Sequence, residues 1–321
     1  MGLKKWINIL SRPLREARAN RNSPIQFHNF WEFRSPSELW FYKFIQHRNL
    51  LEKANLKEIH FYSVFRQVNT PFRERYFRNR ENIFSIFYTG ENVDNYPAFS
   101  DHLLDKVDLS LGFEYIEHPR YLRFPIWIWF TIDPTWDLEK IKNQLDQQFE
   151  NRRFQKRDGF CCMVSSHDRN GMRYRLMKAV EKYGKVDSGG KKYNNTNALK
   201  QVFRNDKGLF LSQYYLNICP ENSNKSGYVT EKLFHALRFG CIPIYWGSDN
   251  MPEPDLLRPQ SFWAFDPSDP SKLEDKLVKF AKSPEDCYQE WLHQSKFKPG
   301  AAEKIFHYLE QLESAIINRK K

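Results

Sequence analysis

The chain has 321 residues, room for two domains at roughly 100 to 200 residues each, and 40% hydrophobic with 16% aromatic residues is a globular rather than a disordered composition. Fifty Lys and Arg against 39 Asp and Glu give a formal charge of +11, which favours anionic partners (nucleic acid, phosphorylated small molecules, an acidic membrane surface) without choosing among them. The most apolar stretch, residues 124–132, falls well short of the ~20 residues that span a bilayer, so the sequence reads as soluble or peripheral.

In chain order, residues 1–23 interleave Lys4, Lys5, Arg12, Arg15, Arg18 and Arg21 with Trp6, Ile7, Ile9, Leu10 and Leu14. That mix reads equally as a basic helix lying on an anionic membrane and as a solvated, charged terminus, with Pro13 as a kink. Ser35-Pro36-Ser37-Glu38 opens a helical pattern through Leu39, Trp40, Phe44 and Ile45, and a strand is expected at 59–65. Residues 66–80 form a basic, aromatic loop; 82–88 reads as a strand ending in Thr89-Gly90-Glu91-Asn92, and 108–113 as another. The polar stretch 136–157 is expected to carry the interdomain boundary near its end.

The second half alternates more clearly. A strand at 160–165, a turn at 167–171, a helix at 172–183 stopped by Gly184, a strand and glycine turn at 185–190, and a strand at 214–219 come in succession. Thr230 then opens a helix that Gly240 caps, leading to a strand at 242–246 in which Pro243 argues for a strand edge or start. Residues 301–319 place Ile305, Tyr308, Leu309, Leu312 and Ile316 at helical spacing, a closing helix. Five cysteines, two of them adjacent (Cys161 and Cys162), suit neither a disulfide framework nor a zinc site; they read as small buried hydrophobes in a reducing compartment. Strand, loop, helix, strand is the grammar of a doubly wound parallel sheet, whose ligands sit at the carboxyl ends of its strands.

Several polar residues fall at those ends. Arg173 lies in the first turn of one helix, where its guanidinium and the helix amides suit a diphosphate. Glu231 and Lys232 open the next helix, a carboxylate fit for vicinal ribose hydroxyls beside an ammonium fit for phosphate. Taken singly, each is also ordinary helix-surface charge. Neither GxGxxG nor a Walker A loop is present, nor HExxH or an EF-hand loop.

Residues 227–248, GYVTEKLFHALRFGCIPIYWGS, resemble the donor-binding signature of the alpha-1,3-fucosyltransferases, particularly the bacterial enzymes that make Lewis-type antigens. FLSQYYLNICPEN (210–222), DSGG (187–190), FYTGEN (87–92) and RYLRFP (120–125) resemble further motifs of that family in matching order, so the likeness covers roughly residues 60 to 265. Pro220 departs from it, standing where the family more often has an aromatic residue. The resemblance implies an α/β fold of GT-B type, two Rossmann-like domains facing across a cleft: an acceptor-binding domain at 1–155, a GDP-fucose-binding domain at 156–300 and a closing helix at 301–321. It implies an inverting transfer of L-fucose from GDP-β-L-fucose to an acceptor oligosaccharide, with GlcNAc of an N-acetyllactosamine-type unit in alpha-1,3 linkage, as in lipopolysaccharide Lewis antigens, as the first reading; the acceptor and an alpha-1,4 linkage stay open, since loops of the first domain decide them. Carried over, Arg173 and Lys232 clamp the diphosphate, Glu231 holds the ribose, Asn222 and Tyr228 line the donor pocket, and Glu91 is the catalytic base. No metal or other cofactor is implied. The expected location is cytoplasmic, peripheral on the inner face of the membrane. The alternatives are a GT-B enzyme for another nucleotide sugar and a basic protein gripping membrane or nucleic acid through residues 1–23 and 66–80; the strand-end motifs, which such a binder leaves unexplained, speak against nucleic acid.

Overall fold

The computed structural model describes residues 14–31, 33–65, 78–150 and 152–318. The expectations for residues 1–13, for most of the basic loop 66–80 and for the last three residues lie outside them. The chain forms two compact units, residues 1–136 with 306–321, and residues 137–305. The boundary expected at 155 thus lies too late. Asp137 accepts from the Lys140 amide at 2.7 Å and starts a helix, Leu138–Leu145, so the polar stretch belongs to the second unit instead of linking the two.

The first unit holds five parallel strands in chain order: β1 (Ile25–His28), β2 (Glu58–Tyr62), β3 (Ile83–Tyr88), β4 (Leu109–Gly112) and β5 (Tyr121–Arg123). Alternation along the strands sends Ile25, Phe27, Ile59, Phe61, Ile86 and Tyr88 to one face, all buried. Helices α1 (Trp40–His47) and α2 (Trp127–Thr131) belong to this aromatic layer. Phe41 stacks on Phe61 at 4.7 Å and meets Tyr88 edge-on at 4.9 Å, while the Trp40 indole donates to the Ile132 carbonyl at 2.7 Å. β1, a four-residue strand, is not apparent in the sequence pattern. It is tied to residues 14–20, which are helical: the Asn20 side chain donates to the Phe27 carbonyl at 2.8 Å and accepts from its amide at 3.0 Å. That part of the basic segment is therefore built into the fold.

The second unit's sheet is also wholly parallel: β6 (Gly159–Met163), β7 (Val186–Ser188), β8 (Tyr214–Ile218), β9 (Ile242–Tyr245) and β10 (Trp263–Ala264), in the spatial order β7-β6-β8-β9-β10. The chain leaves β6 for β7 on one side and returns to β8 on the other, so the switch point falls between β6 and β8. Helices α3 (Leu138–Leu145), α4 (Met172–Glu181), α5 (Lys207–Leu211), α6 (Glu231–Arg238), α7 (Ser271–Lys282) and α8 (Pro284–His293) belong to this unit. Pro243 takes the second position of β9, opposite Asn217 and ahead of the residues that β10 pairs, so its missing N–H costs little. Cys161, Cys162, Cys219 and Cys241 are buried free thiols. The closing helix α9 (Ala301–Ile317) buries Ile305, Leu309, Leu312 and Ile316, and from Phe306 onward it belongs to the first unit, where Glu313 binds Arg48 at 2.6 Å and Lys53 at 3.0 Å. Among the described residues no helix is long and apolar enough to cross a membrane.

Candidate active site

At the switch point of the second unit, the loops after β6 and β8 meet through Arg173 and Asn222. The Arg173 guanidinium donates to the Asn222 side-chain oxygen at 2.7 Å and to the His167 carbonyl at 2.6 Å, and its Nη1 lies 3.1 Å from His167 Nδ1. Asn170 adds a bond to the Asn222 carbonyl at 3.0 Å. Arg173 is buried; burial holds its guanidinium below the ordinary value, with Asp168 and Glu221 pulling against that. It stays cationic, since a guanidinium starts so high.

One expectation changes here. The first-turn amides of α4 are not open to an anion: the Met172 amide donates to Asn170 at 3.1 Å, and Asp168 accepts from the Arg173 and Tyr174 amides at 3.2 and 3.0 Å. Any anion bound at this point is met by the guanidinium rather than by the helix terminus. The glycine turn sits beside it for a steric reason. A Cβ at Gly190 would overlap the backbone of Ser165, so only glycine lets the two loops approach this closely.

Lys232 is organised by a residue to which the sequence assigned no role. Glu221, with 0% of its surface exposed, accepts from the Thr230 amide and hydroxyl, both at 2.7 Å, and from the Lys232 ammonium at 3.0 Å. Lys232 also donates to the Thr230 hydroxyl at 2.8 Å. Burial works to lower the ammonium, but Glu221 and Glu231 outweigh it and raise it above the usual lysine value, so the charge is held firmly in place. Thr230, expected as an ordinary helix cap, spends its hydroxyl on Glu221 instead. Glu231 is half-exposed at the start of α6; burial raises its carboxyl, while Lys232, Lys207 and His235 together bring it below the ordinary range. Lys207, from α5, is thereby placed near the same edge, and burial lowers its ammonium against the pull of Glu231. Tyr228 is 2% exposed, packed within the loop that leads to α6.

In the first unit, Glu91 follows the carboxyl end of β3. The Thr89 side chain, fully buried, accepts from the Glu91 amide at 3.0 Å and donates to its carbonyl at 3.1 Å, and Asn92 closes the next turn through the Asp94 amide at 3.1 Å. A Cβ at Gly90 would overlap the Ile126 side chain, so glycine fits the turn tightly onto the chain behind it. Glu91 itself is half-exposed, and its charge reaches the Tyr88 hydroxyl, which burial first and Glu91 second push well above the ordinary tyrosine value. Of the six residues singled out in the sequence, then, Arg173 and Asn222 are in direct contact, Glu231 and Lys232 share the next helix start, Tyr228 is packed in the loop before it, and Glu91 stands in the other unit. Asp168 and Lys207 escaped notice, and Glu221 was seen only inside a motif with no role given to it. Glu221 alone left a signal, an acid at the end of an apolar strand.

Two Rossmann-like parallel-sheet units, one presenting a cation-rich carboxyl edge at its switch point, define a GT-B-type glycosyltransferase fold. Residues 154–312 match the family described as "Glycosyltransferase family 10 (fucosyltransferase) C-term", and residues 25–130 match "Alpha-(1,3)-fucosyltransferase FucT N-terminal domain". The chain belongs to this fucosyltransferase family. It is 30% identical over 208 residues to the alpha-(1,3)-fucosyltransferase FucT of Helicobacter pylori, covering 57% of this chain and 41% of that protein, so it spans about two fifths of that relative's length. A crystal structure of an alpha1,3-fucosyltransferase superposes with a TM-score of 0.59 at 20% identity over 97% of this chain and 98% of that one. One of an alpha1,3-fucosyltransferase with GDP-fucose superposes with 0.55 at 22% identity over 90% and 89%.

Proposed function

We propose that the chain is an inverting fucosyltransferase that moves L-fucose from GDP-β-L-fucose to a hydroxyl of an acceptor glycan, GlcNAc of an N-acetyllactosamine-type unit in alpha-1,3 linkage. The observation that carries the reading is the pairing of Arg173 with Asn222 at the switch point, together with Lys232 fixed on the buried Glu221. In this reading the two cations meet the diphosphate, Glu231 accepts from the ribose hydroxyls, and Asn222 and Tyr228 line the donor pocket. The acceptor oxygen attacks the anomeric carbon and gives its proton to Glu91, while the bond from that carbon to the β-phosphate oxygen breaks and its electron pair leaves with GDP. Attack opposite the leaving group converts the β-linked donor into an α-fucoside.

The charge developing on GDP is met by fixed cations, so no resident metal takes part in this reading. A turnover screen tests it: GDP-fucose should be consumed with an N-acetyllactosamine acceptor, other GDP-sugars should not, and EDTA should leave the rate unchanged. Turnover of another nucleotide sugar in preference to GDP-fucose, or rate loss in EDTA restored by a divalent cation, would overturn it. Residues 1–13, basic and apolar in sequence, supply in the same reading a contact with an anionic membrane that brings the enzyme to lipid-linked acceptors. Cosedimentation with phosphatidylserine vesicles should be seen at low salt and weaken as salt rises; no cosedimentation at low salt removes the membrane contact.

A further inference from the structure

We propose that the first unit carries a second, non-catalytic binding site, for a phosphomonoester borne on a small polar molecule of sugar size. A cavity of about 830 Å³ lies between the amino ends of β3, β4 and β5 and the outer side of α9, with Phe84, Leu109 and Leu122 among the lining residues and Ser314 on the helix side. That volume lies within the range of small-molecule pockets. It is remote from the candidate base: Phe84 stands four strand residues before Tyr88, roughly 13 Å at ~3.3 Å per residue, and Glu91 lies beyond that.

The chemistry of the lining points to an anion. Arg78 and Arg120 both line the cavity and both lean on one carboxylate, Asp105, at 3.8 and 3.5 Å. Arg78 also donates to the Asp105 carbonyl at 2.8 Å. Asp105 is 90% exposed, so it holds neither guanidinium strongly and can yield to a ligand at little cost. The Nε atoms of both arginines are buried without a hydrogen-bond partner, donors that folding has removed from water and left unused. Two carboxylates line the cavity itself. Asp108 is engaged by the Asn79 amide at 2.9 Å and by the Ser85 amide and hydroxyl, both at 2.8 Å, and Glu310 lies 3.6 Å from His307. Asp108 thus has partners of its own, and Glu310 stands in solvent beside His307. A phosphomonoester, with three terminal oxygens and nearly two charges, offers each guanidinium an oxygen of its own, where Asp105 presents the same Oδ1 to both. The apolar lining supplies a surface for the body that carries it.

Calorimetric titration with glucose 1-phosphate, inorganic phosphate and glucose tests the site. Glucose 1-phosphate should bind, more tightly than inorganic phosphate, and glucose should not. The affinity should fall at least tenfold in the Arg78→Gln/Arg120→Gln variant and also in Ser314→Trp, which puts bulk into the cavity from an exposed lining position and leaves both cations, so that it decides the matter should the first variant fold poorly. It should be unchanged in Lys232→Ala/Glu221→Gln, which alters only the second unit. Absence of glucose 1-phosphate binding, binding untouched by Ser314→Trp, or binding lost only in the Lys232→Ala/Glu221→Gln variant overturns the proposal. A lipid headgroup is the other source of the same chemistry. Preference for phosphatidic acid over phosphatidylserine vesicles at matched charge, abolished by Ser314→Trp, assigns the site to lipid; a preference that survives it counts against the site.

Discussion

Replacing Glu91 by Gln is expected to lower fucose transfer by about 10²- to 10⁴-fold, the loss associated with removal of a general base. A neutral sugar hydroxyl is a poor nucleophile, and in a displacement with inversion the base stands opposite the departing phosphate. Glutamine keeps the length and hydrogen-bonding shape of the side chain but takes no proton. The local structure should survive, because backbone groups of residue 91 on Thr89 and the seat of Gly90 against Ile126 hold the turn. GDP-fucose affinity should change little, since the nucleotide is assigned to the other unit. The check is a transfer rate at saturating donor beside calorimetric affinity for GDP. Near-normal transfer with a good acceptor would remove Glu91 from the chemistry. Glu114 is then a poor substitute, buried and already accepting from the Tyr121 hydroxyl at 3.1 Å, which leaves exposed Glu117 as the next carboxylate to try.

The second unit was the more legible half, and the reason is local. Its strands are short apolar runs followed by turn residues and amphipathic helices, and each of these signals lies within a dozen residues of the element it marks. Arg173, Glu231 and Lys232 were singled out because they sit at the ends of such elements, and Asn222 through the family motif that ends there. Glu221 was seen only as part of a motif, since an acid beside a proline reads as solvated; its burial depends on Thr230 and Lys232, nine and eleven residues on, folding back over it. β1 and β10, four and two residues long, are too short to show a period. In α7 the helical spacing of Leu273, Leu277 and Phe280 was there to be read among its charges. The cavity of the first unit had no local signature at all, because it joins the start of β3 to a helix more than two hundred residues later. The same return of α9 defeats a boundary placed by composition, which cannot register a chain that crosses back.

Removing Lys232 should have two separable effects. Lys232→Ala takes away one charge-assisted contact to phosphate, typically about 1.5 to 3 kcal/mol, so GDP affinity should fall by roughly 10- to 150-fold. It also strands the fully buried Glu221 carboxylate beside only the two Thr230 donors, and breaking a buried pair in this way costs about 3 to 5 kcal/mol of stability. The lower end of that range applies, because Thr230 still donates twice and Lys232 keeps 21% of its side chain in contact with solvent. The double variant Lys232→Ala/Glu221→Gln removes the stranded charge. It should therefore recover most of the lost stability in urea unfolding while GDP binding stays as weak as in the single variant. The cycle reads the two roles of one ammonium independently: holding the loop after β8 to the start of α6, and meeting the diphosphate. A double variant that regains GDP affinity along with stability would show that Lys232 acts only on the fold and that the phosphate charge is met elsewhere, with Arg173 and Lys207 the cations left at that edge. A single variant as stable as the parent would show instead that the two Thr230 donors suffice to hold the Glu221 carboxylate.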